Sequence, residues 1–582
     1  MKDKKMLPIG YDLFHSVRGE NFYYVDKSLF IKELLDSRAG VSLFTRPRRF
    51  GKSLNMSMLQ YFFENLKKGD AHYFDGLAIM EAGEEYLAHM NRYPVIAMTL
   101  KDAAYSDFQT AARIFRDLIA DEFQRHIYVL DGGALSAKDI EKYRELASGK
   151  QDLDSYTESL RFLSICLHKH YGERALILID EYDVPLEKAY FQGYYEEMVN
   201  FIRSFFSSAL KSNPSLDFAV MTGCLRISRE SIFTGLNNLR VVSITAEQYG
   251  EYFGFTEAEV FDMLHYYGLD DKRKEAHDWY NGYVFGEANV YNPWSVINYV
   301  DSLRHNRNRA PDPHWSNTSH NSIIRELVEI AGKQEKEEIE NLIRGGTITK
   351  PIHEDIAYGE IKDEMDNMWN FLFFTGYLKK VSEEQSDGEQ KILTMAIPNI
   401  EVRYIYRRKI NEWFNKKIEL KDPTRLLAAI LTGDADTITD EMNKRLLDVI
   451  SFHDSAENFY HGFLLGILSG LGQYSVKSNR ESGHGRSDIC LKSTGIARKA
   501  VIFECKALKD KDDPIAVCQA AIRQIGEKGY DHELAEEGYK EIMKYAVVFR
   551  GKECLVYAEE CASYITPSAS TTKFKTNSAV EP

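Results

Sequence analysis

The stretch Thr45-Arg46-Pro47-Arg48-Arg49-Phe50-Gly51-Lys52-Ser53 ends as a phosphate-binding loop ends, and begins differently. In the pattern G-x-x-x-x-G-K-[ST], loop amides cradle phosphates, the lysine reaches them and the hydroxyl ligates Mg2+. Gly51, Lys52 and Ser53 supply its second half, whereas Arg46 stands where the first glycine belongs. Arg46, Arg48 and Arg49 sit where phosphates would arrive. The expectation is that one of them takes over part of the phosphate contact that loop amides make elsewhere.

A second set of chemical residues is in ALILIDEYD, an apolar run ending in Asp180-Glu181. There the aspartate would join the metal shell and the glutamate would activate water. The competing reading is a capping Asp after a strand. In DFAVMTGCLRISRESIF, Thr222 stands at a strand end, placed to orient the attacking water. Arg226 and Arg229 follow, either as γ-phosphate contacts, in cis or across a subunit interface of a homo-oligomer, or as surface arginines at a helix start.

A third set is in the last quarter, where HGRSDICL offers Asp488 and IFECKAL offers Glu504 and Lys506. Strand alternation puts Glu504 and Lys506 on one face, with Cys505 turned away. If the two strands pair, Asp488 joins them. Two carboxylates then hold Mg2+ and the lysine orients water, which is equipment for phosphodiester hydrolysis. Glu457 on the preceding helix is a further candidate metal ligand, and Gln524 on the following helix a supporting amide. The alternative is an alternating surface strand with a turn aspartate.

These residues need elements to position them. The runs 41–45, 93–100, 175–180, 217–223 and 239–245 are nearly continuously apolar, as strands buried on both faces are, and helical patterns separate them. That spacing predicts βαβ units and a parallel sheet, an α/β domain over 7–250. Residues 251–450 read as helices, opening with Thr256 as a cap before Glu257 and Glu259. Residues 451–565 read as a helix, strands, a helix and a last strand through KYAVVFRG. The tail, 566–582, is small and polar and is expected to be disordered.

At 582 residues the chain exceeds one ordinary core, and 44% hydrophobic with 28% charged residues is a globular composition. A formal charge of −15 argues against a wholly basic surface, though not against local basic segments such as RHNRNR (304–309), read as a nucleic-acid contact or a solvated loop. No run of 18 apolar residues predicts a membrane span, and no secretory signal is read at the start. Seven cysteines without a CxxC pair fit reduced thiols and a cytoplasmic location.

FYYVDKSLFIKELL, FTRPRRFGKS, LILIDEYDVPL, TGCLRIS, SIFTGLNNL, YFGFTEAEV and WYNGYVF with VYNPWSV occur in that order over about residues 7–300. Together they resemble the bacterial AAA-ATPase-like domain, whose loop itself reads RPRRFGKS. ENFYHGFLLGILSGLG, GHGRSDICL, AVIFECKAL and RQIGEKGY are similar to the PD-(D/E)XK nuclease domain found fused to it, with Cys505 where an aliphatic residue is usual. The resemblance implies a P-loop NTPase parallel sheet with an additional strand and a helical lid, followed by a small α/β PD-(D/E)XK nuclease domain. It also implies ATP and Mg2+ as cofactors, Glu181, Asp488, Glu504, Lys506 and Gln524 in catalysis, and DNA or RNA as partner. Two alternatives stand beside it: an NTPase switch or scaffold whose nuclease-like domain binds without cutting, and a nucleotide-dependent kinase or transferase, for which no acceptor motif is read.

Overall fold

The computed structural model describes residues 4–563, apart from 103–104, 227–238, 318–323, 325–330, 355–364, 386–390, 420–423, 448–456, 470–473, 483–484, 494–497, 510 and 552. The tail expected to be disordered, 566–582, lies outside the described residues. The chain forms two compact units, Met1–Tyr406 and Arg407–Pro582.

In the first unit the five apolar runs are the five strands of one parallel sheet: β1 (Val41–Thr45), β2 (Val95–Thr99), β3 (Ala175–Asp180), β4 (Leu216–Gly223) and β5 (Leu239–Val242). Their order is β2-β3-β4-β1-β5, so β4 stands between the strand entering the phosphate loop and the strand ending in Asp180. β1 and β3 are buried along their whole length, because helices cover both faces. All five strands run the same way. Their carboxyl ends, with Thr45, Asp180 and Gly223, therefore gather on one edge, where open α/β sheets bind ligands.

Residues 251–450, read as helices, carry strands as well. Two small antiparallel sheets interrupt the helices: β6 (Phe255–Thr256), β7 (Tyr283–Phe285) and β8 (Ala288–Tyr291) form one, and β9 (Ile348–Ile352), β10 (Lys379–Gln385) and β11 (Lys391–Ala396) the other. These strands are short, and isolated hairpins are stabilised by what they pack on, which periodicity along the chain does not show. The unit boundary at 406/407 also falls inside this span. The expected cap at Thr256 is present as a reciprocal box: the Glu259 amide donates to Thr256 Oγ1, and the Thr256 amide to Glu259 Oε2 at 2.7 Å.

The second unit is built on a mixed sheet in sequential order: β12 (Tyr474–Ser482), β13 (Gly485–Ser493), β14 (Lys499–Ala507), β15 (Glu541–Arg550) and β16 (Glu553–Ser563). Only β14 and β15 run parallel, joined through the helix Pro514–Glu527. β16 is a strand beyond the last one expected. Its hairpin partner β15 supplies the pairing that its charged sequence, ECLVYAEECAS, does not advertise. Phe503 and Cys505 face the helix Glu457–Ser469, whereas Ala500 and Ile502 face the helix Pro514–Glu527.

Candidate functional sites

The first site gathers on the carboxyl edge of the parallel sheet. Gly51 closes the loop at φ 83 and caps the helix Lys52–Phe63. A Cβ there would meet nothing within 4 Å, so glycine is needed for its backbone angle and not for space. Lys52, 3% exposed, donates to the carbonyls of Arg46 and Pro47 at 3.1 and 3.2 Å and lies 3.4 Å from Glu181. Burial alone would lower its pKa. The Cys224 sulfur and the carboxylates Glu181, Asp183 and Asp180 outweigh that and hold it above the usual lysine value.

Ser53 Oγ donates to Asp180 Oδ2 at 2.6 Å, and Thr222 Oγ1 donates to Asp180 Oδ1 at 2.5 Å. One strand-end carboxylate thus holds the loop helix and β4 together. Burial and the neighbouring Glu181 push the Asp180 carboxyl upward, against those two hydroxyls and Lys52. Thr222 is engaged with Asp180 and with the Glu181 amide at 3.3 Å, so its hydroxyl sets those two groups before it reaches any water. Glu181 has φ 56, a left-handed backbone that is strained for a residue with a Cβ and is frequent at functional turns. Arg226 is half-buried just past β4, and Arg229 lies outside the described residues.

Each of the three arginines has a partner within the unit. Arg46, expected to face phosphate, is fully buried: its Nη1 donates to the carbonyls of Thr45 and Val242 at 2.9 and 2.8 Å. Its guanidinium lies 5.1 and 5.2 Å from the rings of Phe253 and Phe285. Burial pushes its pKa down to about 9. The reason is geometric: the residue directly after β1 still follows the sheet, with its amide bonded to Gly223 O at 3.0 Å, so its side chain turns inward toward β5.

The next four loop residues also have partners in the same unit. Pro47 lies against Gly376, where an added Cβ would approach the ring to 3.0 Å. Arg48 pairs with Glu187. Arg49, at φ 69, stacks 4.4 Å over Trp294. Phe50 packs edge-on to Tyr283 at 4.9 Å, and its carbonyl accepts from the Gly254 amide. RPRRF is therefore a collar that docks the phosphate loop onto 251–406 and onto the helix Val184–Gln192.

Sequence reasoning missed Asp183, Glu187, Phe285, Trp294 and Glu401. Asp183 had a signal, a third carboxylate directly after the strand ending in Asp180-Glu181. Phe285 and Trp294 stand inside the quoted motifs WYNGYVF and VYNPWSV; Glu187 and Glu401 had no signal, because their partners lie far away in the chain. Asp183 is raised to about 7 by burial and by Glu181, while its Oδ2 accepts from the amides of Cys224 and Leu225. Glu401 is wholly buried, accepts from Ser295 Oγ at 3.0 and 2.9 Å and from the Trp315 amide at 2.8 Å, and is raised to about 8 by burial.

In the second unit, Glu504 is 1% exposed within β14. Its Oε1 accepts from Lys506 Nζ at 3.0 Å and from Gln524 Nε2 at 2.6 Å. Gln524 arrives from the helix Pro514–Glu527, which covers the Glu504 face of the sheet. Cys505 turns into the opposite core. The last registered pair of β13 and β14 is Ile489 with Phe503, so the backbone of Asp488 stands one step on, beside that of Glu504. The helix that begins at Glu457 packs on the Cys505 face, opposite Glu504. The side chains of Asp488 and Glu457 lie outside the described residues. Among the described residues no group of three or more His, Cys, Asp or Glu is poised to hold a metal.

RHNRNR does not present bare charge. Arg307 pairs with Asp271 at 2.5 Å, Arg309 with Asp312 at 3.0 Å and Arg304 with Asp301 at 3.4 Å. Among the described residues no helix is long and apolar enough to cross a membrane.

Comparison with known proteins finds a family match in each unit. Residues 8–233 match the AAA-ATPase-like family, described as "Predicted AAA-ATPase". Residues 455–559 match the PD-(D/E)XK nuclease superfamily. Over 546 residues the chain is 26% identical to a protein of Azotobacter chroococcum mcd 1 described as an uncharacterized protein in the vnfD 5' region; the match covers 90% of this chain and 93% of that one.

Proposed function

We propose that this chain, which joins an AAA-ATPase-like domain to a PD-(D/E)XK nuclease superfamily domain, hydrolyses ATP in its first unit and cuts nucleic-acid phosphodiester bonds in its second. The observation that carries the ATPase is the Ser53–Asp180 contact at 2.6 Å. It brings together a hydroxyl from the loop helix and a carboxylate from a strand end, hard oxygen donors of the kind Mg2+ takes. Ser53 and Asp180 would hold Mg2+, which when bound would neutralise charge on the nucleotide's phosphates.

The rest is work for the chain's own residues. Lys52 exchanges the carbonyls of Arg46 and Pro47, and its pairing with Glu181, for phosphate oxygens. Glu181, released from the lysine, accepts the proton of the attacking water. Thr222 keeps Asp180 and the Glu181 backbone in place. Arg226 reaches the γ-phosphate from the segment after β4, in cis or from a second copy. Arg48 and Arg49 act on the nucleotide through the loop they anchor.

In the second unit Glu504 and Asp488 are the carboxylates that would hold Mg2+, which when bound would polarise the scissile phosphate; Glu457, whose helix packs on the opposite face of the sheet, is left out of that set. Lys506 orients the attacking water, and Gln524 holds Glu504 in place. Nucleotide state acts as a switch on cleavage.

The test is to incubate the purified chain with single- and double-stranded DNA and RNA, with and without Mg2+ and ATP. The expected result is Mg2+-dependent cleavage that disappears in Glu504→Ala, and ATP turnover that disappears in Lys52→Ala. Glu181→Gln is expected to bind ATP without hydrolysing it. Unchanged cleavage in Glu504→Ala removes the nuclease assignment. Binding of nucleic acid without any cleavage makes the second unit a binding module.

A further inference from the structure

Asp183 lies outside every motif role assigned above, yet it sits 1% exposed between the ends of β3 and β4. Residues 182 and 183 grip the end of β4 and the segment after it at four points. The Tyr182 amide donates to Thr222 O at 2.9 Å, and the Tyr182 hydroxyl donates to Leu225 O at 2.6 Å. Asp183 Oδ2 accepts the amides of Cys224 at 2.7 Å and Leu225 at 3.0 Å. Gly223 lies so close beneath them that a Cβ would stand 2.5 Å from the Tyr182 ring and 2.8 Å from Asp183 Oδ1.

That segment carries groups the ATPase uses. Thr222 is aimed at Asp180, the Cys224 sulfur lies 3.7 Å from Lys52 Nζ, and Arg226 leaves from its end. A carboxylate that accepts two consecutive backbone amides fixes the peptide between them in both position and tilt. In an exposed loop such a bond pair is a turn device. Here it is buried beside the reacting groups, and Oδ1 has no hydrogen-bond partner among the described residues.

We propose that Asp183 is a positioning residue for the ATPase, holding the 222–226 segment so that Thr222 orients Asp180 and Arg226 is delivered to the nucleotide; this rests on the ATPase reading above. It acts through backbone amides and not on phosphate. It therefore governs the rate of the chemical step more than the capture of ATP, which belongs to Lys52 and the loop.

The experiment compares Asp183→Ala, Asp183→Asn and Gly223→Ala with the wild-type chain in steady-state ATP hydrolysis. Maleimide labelling of Cys224, read by peptide mass, is measured in parallel. Asp183→Ala is expected to lower kcat by about 30-fold or more with KM for ATP within about threefold, and Asp183→Asn, which keeps an acceptor oxygen, to recover most of that rate. Gly223→Ala keeps the Asp183 carboxylate in the chain but drives a Cβ against it and the Tyr182 ring, displacing the same segment; it is expected to show the same kcat loss, which keeps the proposal open to test if Asp183→Ala does not fold. Cys224, buried in the wild type, is expected to label about tenfold faster in Asp183→Ala and at the wild-type rate in Asp183→Asn.

Wild-type kcat in Asp183→Ala or Gly223→Ala overturns the proposal. So does an Asn variant as slow as the Ala variant, or a loss confined to KM. If the wild-type chain turns over no ATP, the ATPase reading falls, and the labelling decides alone. Equal labelling of wild type and Asp183→Ala then overturns the anchoring role, and faster labelling confined to Asp183→Ala upholds it.

Discussion

The two sites are assembled in opposite ways. Glu504, Lys506 and Gln524 come from one strand and the helix after it, within 21 residues of chain. The phosphate loop, by contrast, is held by Val242, Phe253, Phe285, Trp294 and Gly376, the last more than 300 residues away. A local site can be built by strand alternation and one helix. A collared loop depends on a whole surrounding unit, and its geometry can therefore respond to that unit.

The sharpest way to break the comparison is to disable each site separately. Lys52→Ala should reduce ATP turnover by on the order of 10^3 while basal Mg2+-dependent cleavage persists, and Glu504→Ala should do the reverse. Assays of both activities on both variants check this. If either variant loses both activities, the sites are not separable.

Gln524→Ala should slow cleavage by roughly 10- to 100-fold, the usual effect of removing a partner that orients a metal ligand, with ATP turnover unchanged. Cleavage rates across a Mg2+ titration provide the measurement. A wild-type rate at every Mg2+ concentration would mean that the 2.6 Å contact with Glu504 is incidental.

The collar is tested at Arg46. Arg46→Gly should cost about 3 kcal/mol of stability by emptying a packed site. Arg46→Met should stay within about 1 kcal/mol of the wild type or exceed it, because an apolar side chain of similar length removes a buried charge whose Nε and Nη2 have no hydrogen-bond partner among the described residues. Urea denaturation distinguishes them. Equal losses in both variants would show that the guanidinium and not its bulk holds the loop.

A pH dependence is also expected in the first unit. Glu401 has a folded pKa of about 8 against 4.5 for an ordinary glutamate, so the folded chain binds its proton more tightly than the unfolded chain does. Its contribution to stability is complete below about pH 4.5 and is lost as pH rises toward about 8. Glu401→Gln should remove that slope, making the variant gain on the wild type between pH 5 and 8 in thermal melts. Parallel melting curves would mean that Glu401 is not protonated in the fold.

Much of this was already visible along the chain. All five apolar runs of the first half are strands of the parallel sheet, because burial on both faces leaves a signal in the residues themselves. Alternation correctly separated Glu504 and Lys506 from Cys505 for the same local reason. The small sheets of 251–406 and the strand β16 left no such signal. Their residues are stabilised by pairing and packing partners elsewhere in the chain.

By itself the sequence determined the five strands of the parallel sheet, the strand-end position of Asp180 and the alternation that separates Glu504 and Lys506 from Cys505, since each follows from residue type and local period. Only the tertiary structure decided what the arginines of RPRRF do. A charge next to a phosphate loop suggests phosphate, but Arg46 follows a sheet strand and its side chain must go where the strand's pleat sends it. Likewise, Asp183 could be read as one more acidic residue until the fold brought the amides of Cys224 and Leu225 to it. Direction and partner are properties of packing, and packing is set by residues far apart in the chain.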